Sequence, residues 1–273
     1  MRVSRSTCWR AITVLAGIGL TVASPASGWG QPPQQPRSFE PQVGQSGKDV
    51  VWVPTPAALV EKMLDMAQVT EDDLVMDLGS GDGRTIIAAA RRGARAVGVE
   101  FDPNMVNLSR RLAEEAGVAT RATFVEGDMY TADISKATVM ALFLLPPNLE
   151  RLREAFFALA PGTRLVLNTF AIPGWEPDAQ ETIGNCVAWC TSLLYVVPAR
   201  VQGRWKTARG ELVLDQKFQV VSGTLTAAGA PTPVTGRLRG TELELVVGAD
   251  TLRGNVTGDR IEGALSGVRA PTP

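Results

Sequence analysis

The stretch Val75-Met76-Asp77-Leu78-Gly79-Ser80-Gly81-Asp82-Gly83-Arg84 decides how this chain is read. Its apolar start, Leu74 to Leu78, predicts a short buried strand, and Thr85 to Arg92 predicts a helix. Glycines between a strand and a helix let backbone approach a bound nucleotide closely. Simple turns use glycine too, so the neighbouring residues carry the weight. In the dinucleotide fingerprint G-x-G-x-x-G, the helix N-terminus faces a pyrophosphate. Here the third glycine comes one position early, and Asp77 and Asp82 flank the loop. Carboxylates repel a pyrophosphate but attract a nucleoside that carries positive charge.

Working outward, strands and helices alternate. Val53-Pro54-Thr55-Pro56 is extended, because a residue before proline is pushed out of the α region. A helix is expected over Ala57 to Ala67, with Leu59, Val60, Met63 and Leu64 on one face. Strands are expected at Ala96–Val99, Ala122–Val125, Thr138–Leu144 and Arg164–Phe170, and helices at Asn104–Ala116 and Leu149–Leu159. This alternation predicts a doubly wound, Rossmann-like α/β sheet covered on both faces.

Two further acids follow the next two strands. Glu100 closes Val97-Gly98-Val99-Glu100-Phe101, where a carboxylate can accept from both ribose hydroxyls. Asp128, in Val125-Glu126-Gly127-Asp128-Met129, can accept from an adenine amino group, with Phe101 and Met129 as apolar contacts to the base. Acids commonly serve as helix caps, and Asp102 before Pro103 reads as one. Three acids at consecutive strand C-termini are harder to assign that way, because open α/β sheets bind ligands at that edge.

As a set, Asp77, Gly79, Ser80, Gly81, Gly83, Glu100 and Asp128 resemble the successive motifs of class I, seven-stranded, S-adenosylmethionine (SAM) dependent methyltransferases. The resemblance implies SAM as cofactor and a methyl-transferring enzyme. Val53-Pro54-Thr55-Pro56, the glycine loop and Phe143-Leu144-Leu145-Pro146 narrow it to a lysine methyltransferase family. Its mitochondrial members modify the c-type ring protein of ATP synthase and the adenine nucleotide translocase, and it has many bacterial relatives. This narrower resemblance implies that Val53 and Thr55 help cover the cofactor. It also implies that Phe143, Leu145 and Pro146 shape an acceptor channel for a protein lysine. The same Leu145-Pro146-Pro147 also reads as a rigid strand-to-helix turn with Pro147 at the first helical position. A small-molecule acceptor, or a SAM-fold scaffold without catalysis, stands as the alternative.

The rest of the chain departs from those relatives. Ala179–Gly184 and Leu193–Val201 suggest a hairpin across Cys186 and Cys190, which an oxidising compartment would join as a disulfide and which equally fit as two buried small residues in a turn. Beyond it six short strands between Glu211 and Leu265, punctuated by Gly, Pro and Asp, predict a small antiparallel β-barrel or sandwich. Trp205, Leu212, Leu214 and Phe218 are its expected core. At the other end Arg2, Arg5 and Arg10, an apolar run and small residues read as an export signal, with a membrane tether or a mitochondrial presequence as alternatives. The apolar run is too short to span a bilayer comfortably, and no later segment approaches the roughly 20 apolar residues required. The organisation expected is a signal peptide at 1–27 carrying Cys8, a Pro/Gln-rich linker at 28–47, a methyltransferase domain at 48–201, an all-β module at 202–268 and a tail at 269–273.

Composition removes other classes. Histidine is absent from all 273 residues, which excludes Ser-His-Asp hydrolysis, His-ligated zinc and histidine bases, and no metal site is expected. The net charge of -1 gives no basic stripe for nucleic acid.

Overall fold

The structure, a computed structural model, describes residues 39–271. The expected signal peptide, Cys8, the first part of the linker (28–38) and the last two residues of the tail lie outside the described residues.

Helix α1 (Ala57–Met66) precedes a seven-stranded sheet. Its elements in chain order are β1 (Leu74–Leu78), α2 (Arg84–Arg91), β2 (Arg95–Glu100), α3 (Pro103–Glu115), β3 (Ala122–Glu126), β4 (Val139–Leu142), α4 (Pro146–Phe157), β5 (Arg164–Asn168), β6 (Ala179–Thr182) and β7 (Thr191–Val196). The strand order is β3-β2-β1-β4-β5-β7-β6. The first five strands run parallel, and the β6–β7 hairpin adds antiparallel to β5. The order reverses between β1 and β4, so the loops after these strands diverge and leave a crevice at their carboxyl ends.

Period-two alternation builds the two cores. Val75 faces one side with Ala96, Val139 and Val166, against Leu59 and Leu64 of α1 and Ile86 of α2. Met76 and Leu78 face the other side with Met140 and Leu165, against Leu149, Leu152 and Phe156 of α4. Strands β4 and β5 end earlier than expected. Strand β5 stops at Asn168 because Thr169 takes φ 60, a left-handed conformation that breaks the ladder. Helix α4 starts earlier than expected, with Leu145 as N-cap, and both Pro146 and Pro147 fit in its first turn. The first turn needs no proline N–H, so neither ring costs a hydrogen bond.

After β7 an eight-stranded antiparallel barrel closes on itself. It comprises β8 (Gly203–Thr207), β9 (Gly210–Lys217), β10 (Val220–Ala227), β11 (Ala230–Arg239), β12 (Glu242–Val247), β13 (Asp250–Thr257), β14 (Arg260–Gly263) and β15 (Gly267–Arg269). Six strands were expected. The two missed ones, β8 and β15, are short, and of their residues only Trp205 contributes to the barrel core. They nevertheless close the ring, because β15 pairs with β8 and β8 with β9. Residue 269, assigned to the tail, is therefore part of a strand.

Trp205, Leu212 and Leu214 pack inside the barrel as expected. Phe218 does not. It lies at the β9–β10 turn with φ 53 and stacks on Trp175 of the sheet domain at 4.9 Å, edge-on to Phe157 at 5.2 Å. Beside it, Gln219 Nε2 donates to the Glu176 carbonyl at 2.6 Å and Arg237 pairs with Asp178 at 2.9 Å. Phe218 is the aromatic peg that joins barrel to sheet.

Candidate functional site

The cavity at the crevice is lined from the ends of β1, β2, β3 and β4. Asp77, near the end of β1, is buried. Burial, and after it the charges of Glu100 and Asp82, raise its carboxyl well above the ordinary carboxylate range. Glu100 ends β2 and is held from both sides. Its Oε2 accepts from the Gly81 amide at 2.9 Å, and its Oε1 accepts from the Phe101 and Asp102 amides at 2.8 and 3.0 Å. The second acid therefore fixes the curvature of the glycine loop as well as facing the cavity.

The loop needs its glycines for space as well as for conformation. Gly81 has φ 57, and a Cβ there would come within 2.7 Å of the Trp52 indole nitrogen. Gly83, at φ 79, caps α2 against the Phe124 ring, where a Cβ would approach to 2.6 Å. It supports the cavity from behind rather than lining it. Ser80 is buried with its side chain toward Gly98, and its amide donates to the Val99 carbonyl at 3.1 Å. Asp82 departs from expectation. It grips Arg84 in a fork, at 2.9 Å to Nε and 2.6 Å to Nη2, so its charge is already matched within the chain. Arg84 also donates to the Thr55 carbonyl at 3.0 Å, tying the loop to the Val53–Pro56 segment. Thr55 Oγ1 in turn accepts from Asn168 Nδ2 at 3.2 Å. Val53 and Thr55 thus line the cavity, in a segment anchored through Thr55 to the start of α2 and the end of β5.

Asp128 follows β3. Its Oδ2 meets Lys48 Nζ at 2.7 Å and its Oδ1 accepts from the Tyr130 amide at 2.9 Å. Lys48 first, and then that amide, hold its carboxyl below the usual range. The Lys48 ammonium also stands 4.7 Å over the Phe101 ring. Phe101 is half exposed and, with Met129, lines the same cavity. The linker reading stops short here: residues 42–52 form a hairpin rather than a tether. Gly44 donates to the Trp52 carbonyl at 2.8 Å, Trp52 to that of Gln45 at 2.9 Å, and Gly47 to that of Val50 at 2.9 Å. This strap brings Lys48 and Trp52 over the cavity. Sequence reasoning missed both, since no local pattern links Lys48 to an acid 80 positions away.

On the β4 side Phe143 lines the cavity, whereas Leu145 and Pro146 do not. Leu144 turns into the core beneath α4 and is no part of a rim. Phe143 stacks with Phe170 at 6.1 Å and meets Trp189 at 5.6 Å, and Phe170 meets Trp189 at 5.4 Å. Trp189 lies in the β6–β7 turn, where Cys186 and Cys190 are joined through their sulfurs. Among the described residues no cluster of three or more Cys, Asp or Glu could hold a metal ion.

A buried, unneutralised acid beside a second carboxylate, with glycine backbone and an aromatic ring at hand, fits a nucleoside that carries positive charge. Comparison with known proteins agrees. Residues 77–179 match the ANTKMT methyltransferase domain family. The chain is 44% identical over 151 residues to a protein-lysine N-methyltransferase of Saccharolobus islandicus, covering 54% of this chain and 94% of that protein. It is 35% identical over 156 residues to the ATP synthase c-subunit lysine N-methyltransferase of Rattus norvegicus, covering 56% of this chain and 69% of that protein. Among solved structures, an RNA methyltransferase from Salinibacter ruber in complex with S-adenosyl-L-homocysteine is similar, with a TM-score of 0.52 and 44% identity over 55% of this chain and 96% of that one.

Proposed function

The chain belongs to the class I SAM-dependent methyltransferase family that includes these lysine methyltransferases, and on that premise we propose that its acceptor is a protein lysine. The observation that carries the proposal is the aromatic surface of the cavity, Phe143 backed by Phe170, in the same cavity as the acids Asp77 and Glu100. SAM, when bound, supplies a methyl group on a sulfonium whose departing electron pair stays with sulfur. The chain's own residues have three tasks. Asp77 and Glu100 supply negative charge, the first toward the cationic part of the cofactor and the second toward the ribose hydroxyls. Gly79, Ser80 and Gly81 bring backbone close, while Phe101, Asp128 and Met129 form the base side. Val53, Thr55 and Trp52 cover the cavity and exclude water, which strengthens every charge interaction inside it.

The third task is to receive the acceptor. A lysine packs its aliphatic stem along apolar surface while its amine reaches onward. Phe143 offers that surface at the cavity wall. A free lysine has a pKa near 10.4, so an apolar approach favours the neutral, nucleophilic amine. A nucleic-acid acceptor, the class named for the Salinibacter protein, has less support here: the net charge is -1 and the approach is aromatic rather than basic. We further propose that the protein is exported, a reading supported by the Arg2, Arg5 and Arg10 start and by the Cys186–Cys190 bond.

The test is incubation with radiolabelled SAM and fractionated envelope, cytoplasmic and RNA extracts from cells that lack the gene. Acid-stable label recovered as methyl-lysine is expected. Label confined to RNA or to small molecules overturns the lysine acceptor, and absence of transfer despite SAM binding favours a scaffold.

A further inference from the structure

We propose that Trp189, clamped by the Cys186–Cys190 disulfide, is a specificity-determining residue that forms the outer aromatic wall of the acceptor site. The inference rests on the lysine reading above. Trp189 is held away from the hydrophobic core, with a side chain 37% exposed, yet it contacts two rings at 5.6 and 5.4 Å. One of these, Phe143, lines the cavity. A continuous aromatic surface therefore runs outward from the cavity through Phe143 and Phe170 to Trp189 at the surface.

The backbone holds Trp189 in a conformation that a bulky residue rarely adopts, with φ 59, and Asn185 on the same turn has φ 52. Such conformations persist where the surroundings fix them. Here the disulfide closes the turn, and below it Ile183 donates to the Cys190 carbonyl at 2.9 Å. A turn with no task beyond joining β6 to β7 would favour glycine at these positions. What this one does is aim an indole at Phe143 and Phe170.

The chemistry suits a cationic acceptor. A lysine arrives as an ammonium, gives one proton to solvent before its neutral amine takes the methyl group from the sulfonium, and leaves as a methylammonium. The faces of Trp and Phe attract the cation on arrival and on departure. Trp is the strongest of the aromatic side chains in this respect. The wall would favour lysines with exposed, flexible stems over uncharged nucleophiles. Because the disulfide sets the aim of Trp189, recognition of the acceptor depends on that bond being intact.

The test measures the initial rate of methyl-lysine formation in envelope protein from cells lacking the gene, alongside S-adenosylhomocysteine affinity by calorimetry and the melting temperature. Trp189→Ala is expected to lower the rate about tenfold or more, with nucleoside affinity and melting temperature unchanged, while Trp189→Phe retains most of the rate. The Cys186→Ser/Cys190→Ser double variant, and the wild type after dithiothreitol, are expected to fall in parallel with Trp189→Ala. A wild-type rate in Trp189→Ala, with methyl-lysine still the product, overturns the wall and leaves the lysine reading standing. A wild-type rate in the double variant overturns the clamp. A wild type that forms no methyl-lysine overturns the lysine reading, and the wall falls with it.

Discussion

Two aspartates four residues apart, one just before strand β1 and one within it, meet opposite fates. Asp73, at the amino end of the sheet, is buried but fully partnered. The Thr70 amide donates to it at 2.9 Å, Thr138 Oγ1 at 2.7 Å, and the Arg164 guanidinium closes the cluster. Its pKa is lowered despite burial, because these hydrogen bonds and the Arg164 charge outweigh desolvation. Asp77, at the carboxyl end, is equally buried, but around it stand two more carboxylates, and its pKa is raised. The first acid pins the starts of β1, β4 and β5 together. The second is left with a deficit that the fold does not fill, and the deficit has the sign and the place of a cationic ligand. A buried acid is informative about function only when its own chain fails to satisfy it.

The largest effect expected is on the satisfied end. Asp73→Ala should cost about 3 kcal/mol of stability, since it leaves a mostly buried Arg164 without its partner. Chemical denaturation reads the loss, and SAM affinity of the folded fraction should stay near wild type. A collapse of affinity at unchanged stability would erase the distinction between the two ends. Glu100→Ala should weaken SAM binding at least about tenfold, roughly 1.5 kcal/mol or more for a charge-assisted pair. Calorimetry with unchanged affinity would remove Glu100 from the site.

Asp77→Asn sharpens the contrast. A carboxyl whose folded pKa is raised favours the native state below the ordinary value of 3.8 and loses that contribution as pH rises toward the folded value. Neutral asparagine should therefore hold or raise stability above that window while weakening SAM binding. In the wild type a cation drives Asp77 to ionise. SAM binding should then release up to about one proton in that window, read as a buffer-dependent binding enthalpy. Asp77→Asn should abolish the release, and a release that survives the substitution would place the titrating group elsewhere. Asp73 has the opposite sign: its contribution is present above 3.8 and is lost as pH falls through its lowered folded value.

The same contrast explains what the sequence disclosed. Asp77, Glu100 and Asp128 were legible because each follows an apolar run at the end of a strand, and period and position suffice to align them. The sheet was legible for the same reason, from Val75 alternating with Met76 and from the α1 face of Leu59 and Leu64. Much of what escaped depends on contacts distant in sequence, and the rest on side-chain pairings that no periodicity signals. Asp82 resembles the other acids until Arg84 is seen to fork onto it. Phe218 reads as barrel core until Trp175, 43 positions earlier, is seen to stack on it. Strands β8 and β15 have too few apolar residues to register, and only ring closure reveals them. Trp189 carries no local signal beyond lying beside Cys190.

Lys48 is the sharpest instance, because composition assigns its neighbourhood to a tether and the fold assigns it to the cavity. Its ammonium sits on Asp128 and over Phe101, the acid and the ring proposed for the base of the nucleoside. While that pair is made, Asp128 faces a full positive charge instead of a neutral amino group. Binding the nucleoside therefore requires the strap to share or yield the acid. Lys48 and Asp128 are partly solvated, at 38% and 28% exposure, so water and salt screen the contact and keep it weak. Lys48→Met keeps the stem and removes the charge. It should tighten SAM binding by a few-fold, no more than about fivefold, and the gain should shrink as salt rises and screens the wild-type pair. Calorimetry at low and high ionic strength reads both trends. Weaker binding in Lys48→Met at every salt concentration would mean that the strap holds the cofactor through Lys48 rather than competing with it for Asp128.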